Sequence, residues 1–175
     1  MMTKLSYQEM VQIATTELIK IQPTGFHSMI EQANLYMPGT RLRAILSIFF
    51  DYDNKRWKSI TGRYRKMLST LNTHFQKLPK YGATNNTPIS ERIVYLHYSV
   101  NGSDWWIWEL DTGAKGEYLL FGITVNRQHP EITLETFISL DELISDSDAT
   151  LDELFHPKPI KYIPSLKNLC SGREE

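Results

Sequence analysis

One cysteine in 175 residues, Cys170, leaves no intrachain disulfide framework and no thiolate-built zinc knuckle or ribbon. No apolar run approaches the roughly 20 residues a membrane-spanning helix needs. The opening MMTKLSYQEM lacks the apolar stretch and small-residue cleavage site of a secretory signal, which predicts an intracellular, reducing location in the cytoplasm. Phosphate-loop chemistry is missing too, since Gly113-Ala114-Lys115-Gly116 has neither the spacing nor the strand-to-helix setting. There is no nucleophile elbow. The five histidines, His27, His74, His97, His129 and His156, stand without metal-ligand spacing, so no metal and no cofactor are expected.

What is present is an ordinary globular composition, 41% hydrophobic and 22% charged, long enough to bury a core in one domain or two small ones. The net charge of −1 conceals a division. Residues 1–92 hold thirteen Lys and Arg against six acids, and residues 93–175 hold six against fourteen. The positive charge gathers in Arg41, Arg43, Lys55, Arg56, Lys58, Arg63, Arg65 and Lys66, whereas residues 131–153 carry eight acids and no Lys or Arg. A bipolar chain of this kind either meets two different partners or joins two mutually attracting parts.

Hydrophobic spacing predicts four helices in the first half. Ser6 and Glu9 form a capping box before Met10, Ile13, Ala14, Leu18 and Ile21. A second helix spans about Phe26 to Tyr36 and stops at Met37-Pro38-Gly39. A third follows Thr40, with Leu42, Ile45, Leu46 and Phe49 inward, and a fourth runs from about Arg63 to Gln76 after Gly62. From Leu78 to Pro88 the chain is rich in loop formers, which places a boundary at 77/78. Arg92 to Val100 then alternates as a strand, and Asn101-Gly102 signals a tight hairpin. Further strands are expected at Asp104–Asp111, Glu117–Val125 and Ile132–Ile138. Ser139 and Glu142 cap a short helix, and a helical turn at Leu151–Phe155 leads into an extended tail with Pro157, Pro159 and Pro164. The expected fold is α+β, with a helical basic unit over 1–77. A four-stranded antiparallel meander with short C-terminal helices and an acidic end should occupy 78–175.

Several stretches between Leu78 and about Ile163 resemble a domain-of-unknown-function family of small proteins carried on conjugative plasmids, integrative elements and prophages. They are Leu78-Pro79-Lys80-Tyr81, Pro88-Ile89-Ser90-Glu91-Arg92-Ile93-Val94-Tyr95-Leu96-His97-Tyr98, Gly102-Ser103-Asp104-Trp105-Trp106, Glu109-Leu110-Asp111, Phe121-Gly122 and Ile138-Ser139-Leu140-Asp141-Glu142-Leu143. One departure is Glu135-Thr136-Phe137-Ile138, where the family tends to an acidic-Trp-Gly-aromatic run. The helical half lies outside the likeness. The resemblance implies a mobile-element setting rich in proteins that interfere with host defence, and it carries over no established activity.

Side-chain chemistry offers three further readings. His97, on the face of Ile93, Tyr95 and Ser99 and opposite Val94, Leu96 and Tyr98, can neighbour Asp104 across the hairpin, either as general-base machinery or as a bond that fixes the turn. Asp104, Glu109 and Asp111 are carboxylates that can hold Mg²⁺ in a nuclease, but strict alternation sets Asp104 with Trp106, Trp108 and Leu110 and the other two on the opposite face. Trp105, Trp106 and Trp108 cannot share one side, so some are core and others a hot spot or base-stacking platform.

The basic stretch from Arg41 to Lys66 invites a helix-turn-helix reading with DNA or RNA as partner, against a plain solvated face. The acids Asp141, Glu142, Asp146 and Asp148, with their neighbours, can imitate phosphate spacing against a nucleic-acid channel. The resemblance, more than these side chains, implies a non-enzymatic accessory protein that binds and blocks a host defence protein or nucleoprotein complex, of anti-CRISPR or anti-restriction type. The alternatives are a nucleic-acid-binding protein gripping phosphate through its basic helices, and a metal-dependent nuclease.

Overall fold

The protein is described from a computed structural model covering residues 25–50, 57–113, 116–131, 133–146 and 148–170. The helix expected from Ser6 lies outside these residues, as do Lys55 and Arg56. The chain divides into two compact units between Thr73 and His74.

The first unit is built on α1 (Phe26–Tyr36), α2 (Gly39–Phe50) and α3 (Trp57–Gln76), whose final turn belongs to the second unit. Met37 leaves helical geometry while its N–H still reaches the Ala33 carbonyl. The Pro38 carbonyl then accepts from the N–H groups of Arg41 and Leu42, so one proline ends a helix and starts the next. The expected apolar stripes are buried: Phe26, Ile30 and Ala33 on α1, Leu42, Ile45, Leu46 and Phe49 on α2, Leu68 and Leu71 on α3. Phe26 and Phe49 meet at 4.6 Å between ring centroids. Inside this apolar layer Tyr36 donates to Asn72 Oδ1 at 2.6 Å, and Asn72 Nδ2 donates to the Met29 carbonyl at 3.1 Å. The pair locks α1 to α3 and leaves neither buried polar group unmet. Helix α3 begins at Trp57 rather than after Gly62. A glycine inside a helix costs about 1 kcal/mol, which a twenty-residue helix with a buried face absorbs.

The second unit is an antiparallel sheet of five strands in the order β5-β4-β3-β2-β6: β2 (Leu96–Val100), β3 (Ser103–Thr112), β4 (Tyr118–Asn126), β5 (Thr133–Ser139) and β6 (Thr150–Leu151). The four strands of the expected meander are present. The fifth stands where a helical turn was expected. Thr150 pairs with Ser99, the Asp152 N–H bonds the His97 carbonyl, and the Asp152 side chain accepts the Leu154 N–H, which closes a turn in place of a helix. Asn101 and Gly102 have φ of 47° and 77°, the positive values a two-residue hairpin with right-handed twist requires.

The strand expected from Arg92 to Val100 breaks at Tyr95 into β1 (Ile93–Val94), which pairs with β7 (Lys158–Pro159), and β2. The break resets alternation, so Val94 is buried beside Trp106 and Trp108 instead of opposite His97. The proline-rich end is no extended tail. Its 3₁₀ turns, Ile160–Tyr162 and Pro164–Leu166, and the short α5 (Lys167–Cys170) set Ile160, Ile163 and Leu166 into the core with Phe155, Ile123 and Val125. Leu140 and Leu143 of α4 (Leu140–Ser145) are buried as well.

A β-bulge between Ile107 and Glu109 shifts the register of β3 against β4 by one residue. Directly paired residues share a face, and Asp104, Glu109 and Asp111 pair with Val125, Phe121 and Leu119, alternate positions of β4. The three carboxylates thus lie on one face, overturning the alternation argument, while Leu110 moves to the other. Gly122 faces the bulge. A Cβ there would stand 2.1 Å from the Trp106 carbonyl oxygen, so only glycine allows the strands to close.

Candidate functional site

The tight hairpin brings Ser99 of β2 directly opposite Asp104 of β3, with His97 one step along the same face. Asp104 Oδ1 accepts from Ser99 Oγ at 2.9 Å and lies 3.1 Å from His97 Nε2. Arg127, just beyond β4, reaches back with its Nε 2.9 Å from Asp104 Oδ2 and its Nη2 2.6 Å from Oδ1, and also donates to Ser99 Oγ. The other imidazole nitrogen, Nδ1, stands 3.3 Å from Asp152 Oδ2. The ring lies flat on Trp106 at 3.7 Å with a 4° interplanar angle. A neutral imidazole donates from one nitrogen only, so the protonated ring alone gives both carboxylates a hydrogen bond.

Burial on its own raises the Asp104 pKa. Hydrogen bonds from Arg127, Ser99 and His97 outweigh it and hold the carboxyl at about 2. Asp104 in turn raises the Arg127 pKa.

This arrangement places the expected His97–Asp104 pair in contact. The serine beside it donates to the carboxylate and not to the imidazole, so the Ser99 hydroxyl is set against Asp104, a weak base at about 2, and not against His97. In the sequence Ser99 is only a strand neighbour of His97, Asp152 only one of the acids, and Arg127 carries no signal; the Asn101-Gly102 register puts Ser99 opposite Asp104, whereas Arg127 is brought in by the pairing of β3 with β4, its N–H bonding the Gly102 carbonyl.

The carboxylates of the nuclease reading share a face but not a site. From Asp104 to Glu109 the strand runs roughly 15 Å at its usual rise. Glu109, 1% exposed, accepts from the N–H groups of Gly82 and Thr84 at 2.9 and 2.6 Å and from Thr84 Oγ1 at 2.6 Å. It pins the loop-rich segment that was expected to mark the boundary. Leu110 holds the same segment through its N–H to the Pro79 carbonyl and its carbonyl to the Tyr81 N–H. Asp111 accepts from the Thr112 N–H. Among the described residues no three His, Cys, Asp or Glu side chains stand together as a metal site.

Trp106 and Trp108 correct the expected partner surface, because both are buried in the core, their indole N–H groups without an acceptor. Trp108 packs edge-on to Phe121 at 5.5 Å and lies under the Arg92 guanidinium at 5.6 Å. Trp105 is half-buried on the opposite face, paired with Tyr98 and Thr124.

Of the acids, Asp141 and Glu142 are exposed in the first turn of α4, capped by Ser139, whose Oγ accepts the Glu142 N–H at 3.4 Å. Asp148 is exposed too, whereas Asp146 is half-buried and accepts from Asn101 Nδ2 at 3.0 Å and the Asp148 N–H at 2.8 Å. Asp146 thereby ties α4 to the hairpin and leaves the acidic surface to the other three.

On the helical unit Arg43, Arg63 and Lys66 are exposed. Arg41 lies over Tyr64 at 5.9 Å, and Arg65 lies over Phe26 at 5.0 Å with a buried Nε. These two cover the helix core with their stems and are less available to phosphate. Lys58 belongs to α3, its side chain outside the description.

No protein-family model, curated protein or solved structure matches the chain.

Proposed function

We propose that the protein acts by occupancy, as a non-enzymatic mobile-element accessory protein that binds and blocks a host defence complex. The observation that carries the reading is the closed Ser99–Asp104–His97–Arg127 network. Its polar groups are directed at one another, as in a clasp that fixes a hairpin, and the Ser99 hydroxyl lies between the Arg127 guanidinium and a carboxylate too weakly basic, at about 2, to take its proton. Exposed Asp141, Glu142 and Asp148 supply a surface of one charge, fit to steer a basic partner. The mobile-element resemblance supplies the class of target. Titrating the protein against a CRISPR effector or restriction complex tests the reading, and inhibition should be complete near one protomer per binding site. Complete inhibition far below that ratio would mean turnover. Asp141→Asn with Glu142→Gln and Asp148→Asn should slow association while the fold is kept.

A second reading has its own support. Arg43, Arg63 and Lys66 are exposed cations on the helical unit, the residue types that neutralise phosphates. Nucleic acid should then bind with an affinity that falls steeply as salt rises and should be lost in the triple Glu variant. Gel shifts that show no binding at low or high salt would remove this reading.

A further inference from the structure

The hairpin between β2 and β3 carries a reactive dipeptide at its tip. Asn101 and Gly102 are both exposed, in the left-handed geometry the turn demands. An asparagine amide is open to attack by the backbone nitrogen of the residue after it, and that attack is ordinarily hindered by the following side chain or by a hydrogen bond that holds the attacking N–H. Gly102 presents neither obstacle. Even a Cβ built on it would meet nothing within 4 Å, and among the described residues nothing accepts from its N–H.

The amide that would react also ties two elements together. Asn101 Nδ2 donates to Asp146 Oδ2 at 3.0 Å, and Asp146 directly follows α4. Asp146 in turn holds the chain beyond the helix, its Oδ1 accepting the Asp148 N–H at 2.8 Å and its carbonyl the Ala149 N–H at 3.2 Å. Asn101 supplies the donor of this tie, so losing its amide reverses the contact.

We propose that Asn101 is a self-modification site, whose conversion to aspartate or isoaspartate unties the end of α4 from the β2–β3 hairpin. The Gly102 nitrogen loses its proton to a base in the solvent and bonds to Asn101 Cγ. The Cγ–Nδ2 bond breaks, and Nδ2 takes a proton back from the solvent and leaves as ammonia. Water then opens the cyclic imide, at Cγ to give aspartate or at the backbone carbonyl to give isoaspartate, so that a water is consumed, an ammonia is released and nothing is oxidised or reduced. Either product sets a carboxylate against the Asp146 carboxylate where a donor stood, and like charges at that range repel. Isoaspartate also adds a methylene to the backbone of a two-residue turn, which disturbs the register that faces Ser99 with Asp104. The segment loosened is the end of the helix that carries Asp141 and Glu142.

Ageing the full chain in mildly alkaline buffer tests this, beside a second sample kept unfolded in urea. Peptide mass spectrometry of the folded sample should find the mass gain of an amide turned acid at Asn101 ahead of Asn85, Asn86 and Asn126, with isoaspartate among the products and a rate that rises with pH. Asn101→Asp reproduces one product from the start, and amide exchange at Asp148 and Ala149 should quicken in it about fivefold or more. Asn101→Asp combined with Asp146→Asn exchanges donor and acceptor, and should bring that exchange back to the wild-type rate. A folded chain that keeps its Asn101 amide while the unfolded sample converts would overturn the proposal, because the hairpin would then protect the bond. So would wild-type exchange at Asp148 and Ala149 in Asn101→Asp, or a double variant that exchanges as fast as the single one, since either result would separate the Asn101 amide from the hold on α4.

Discussion

Replacing Asp104 with Asn keeps the side-chain size and removes the charge on which Arg127, Ser99 and His97 converge. The carboxyl sits at about 2 against an ordinary 3.8, a difference that corresponds to about 2 kcal/mol of stability linked to its ionisation. Arg127 is half exposed, and water around its guanidinium reduces the figure to about 1–2 kcal/mol. The folded pKa lies below the unfolded one. The contribution is therefore complete above about pH 4 and disappears as the pH falls from there through about 2.

Urea unfolding of the wild type and Asp104→Asn, at pH 7 and at steps from 5 down to 2, should give curves separated by about 1–2 kcal/mol at neutral pH that converge in acid. Every other carboxylate titrates in both proteins and drops out of the difference. Arg127→Gln should narrow the window by letting the Asp104 carboxyl rise toward its ordinary value. Curves that stay parallel between pH 4 and 2 would refute the argument that the network stores its energy in the Asp104 charge.

Glu109→Gln should cost about 2 kcal/mol, because two backbone N–H groups and the Thr84 hydroxyl lose a charged acceptor in a buried place. Hydrogen exchange should accelerate at Gly82 and Thr84 first, and unchanged exchange there would contradict the anchoring role. Gly122→Ala should be among the most damaging small changes in the sheet, a loss of about 3 kcal/mol or more, since the clash is with backbone that no rotamer change relieves. A soluble variant with wild-type urea midpoint would show that the bulge can move. His74 is buried with its Nδ1 unpartnered, and burial, His156 and Lys77 together lower its pKa. The unfolded chain then takes up the proton more readily, so stability is full above about pH 6.5 and declines as the pH falls below it. His74→Leu should flatten that decline, and thermal melts at pH 7.5 and 5 decide it.

Helices α1, α2 and α4 were legible because their signals are local. Pro38 breaks, and the apolar residues of α1 and α2 recur at a period that needs no partner to be recognised. The same holds for the Asn101-Gly102 hairpin and the Ser139 cap, where a few residues and the backbone geometry they prefer are the whole cause. The hairpin register also carried the His97–Asp104 contact, because a two-residue turn fixes which side chains face each other.

Tertiary structure decided what depends on other strands. The extra residue at Ile107–Glu109 exists only as a mismatch against β4, accommodated at Gly122, and nothing in β3 alone marks it. That mismatch moved Glu109 and Asp111 onto the face of Asp104 and sent Glu109 to hold a segment whose composition reads as a boundary. The break at Tyr95 likewise follows from competition between β7 and β3 for one stretch of chain. Two tryptophans became core because the C-terminal turns fold over them, and their sequence is equally that of an exposed platform. A periodic pattern tells which residues share a face, but only the packed sheet decides where the period slips and which face is covered.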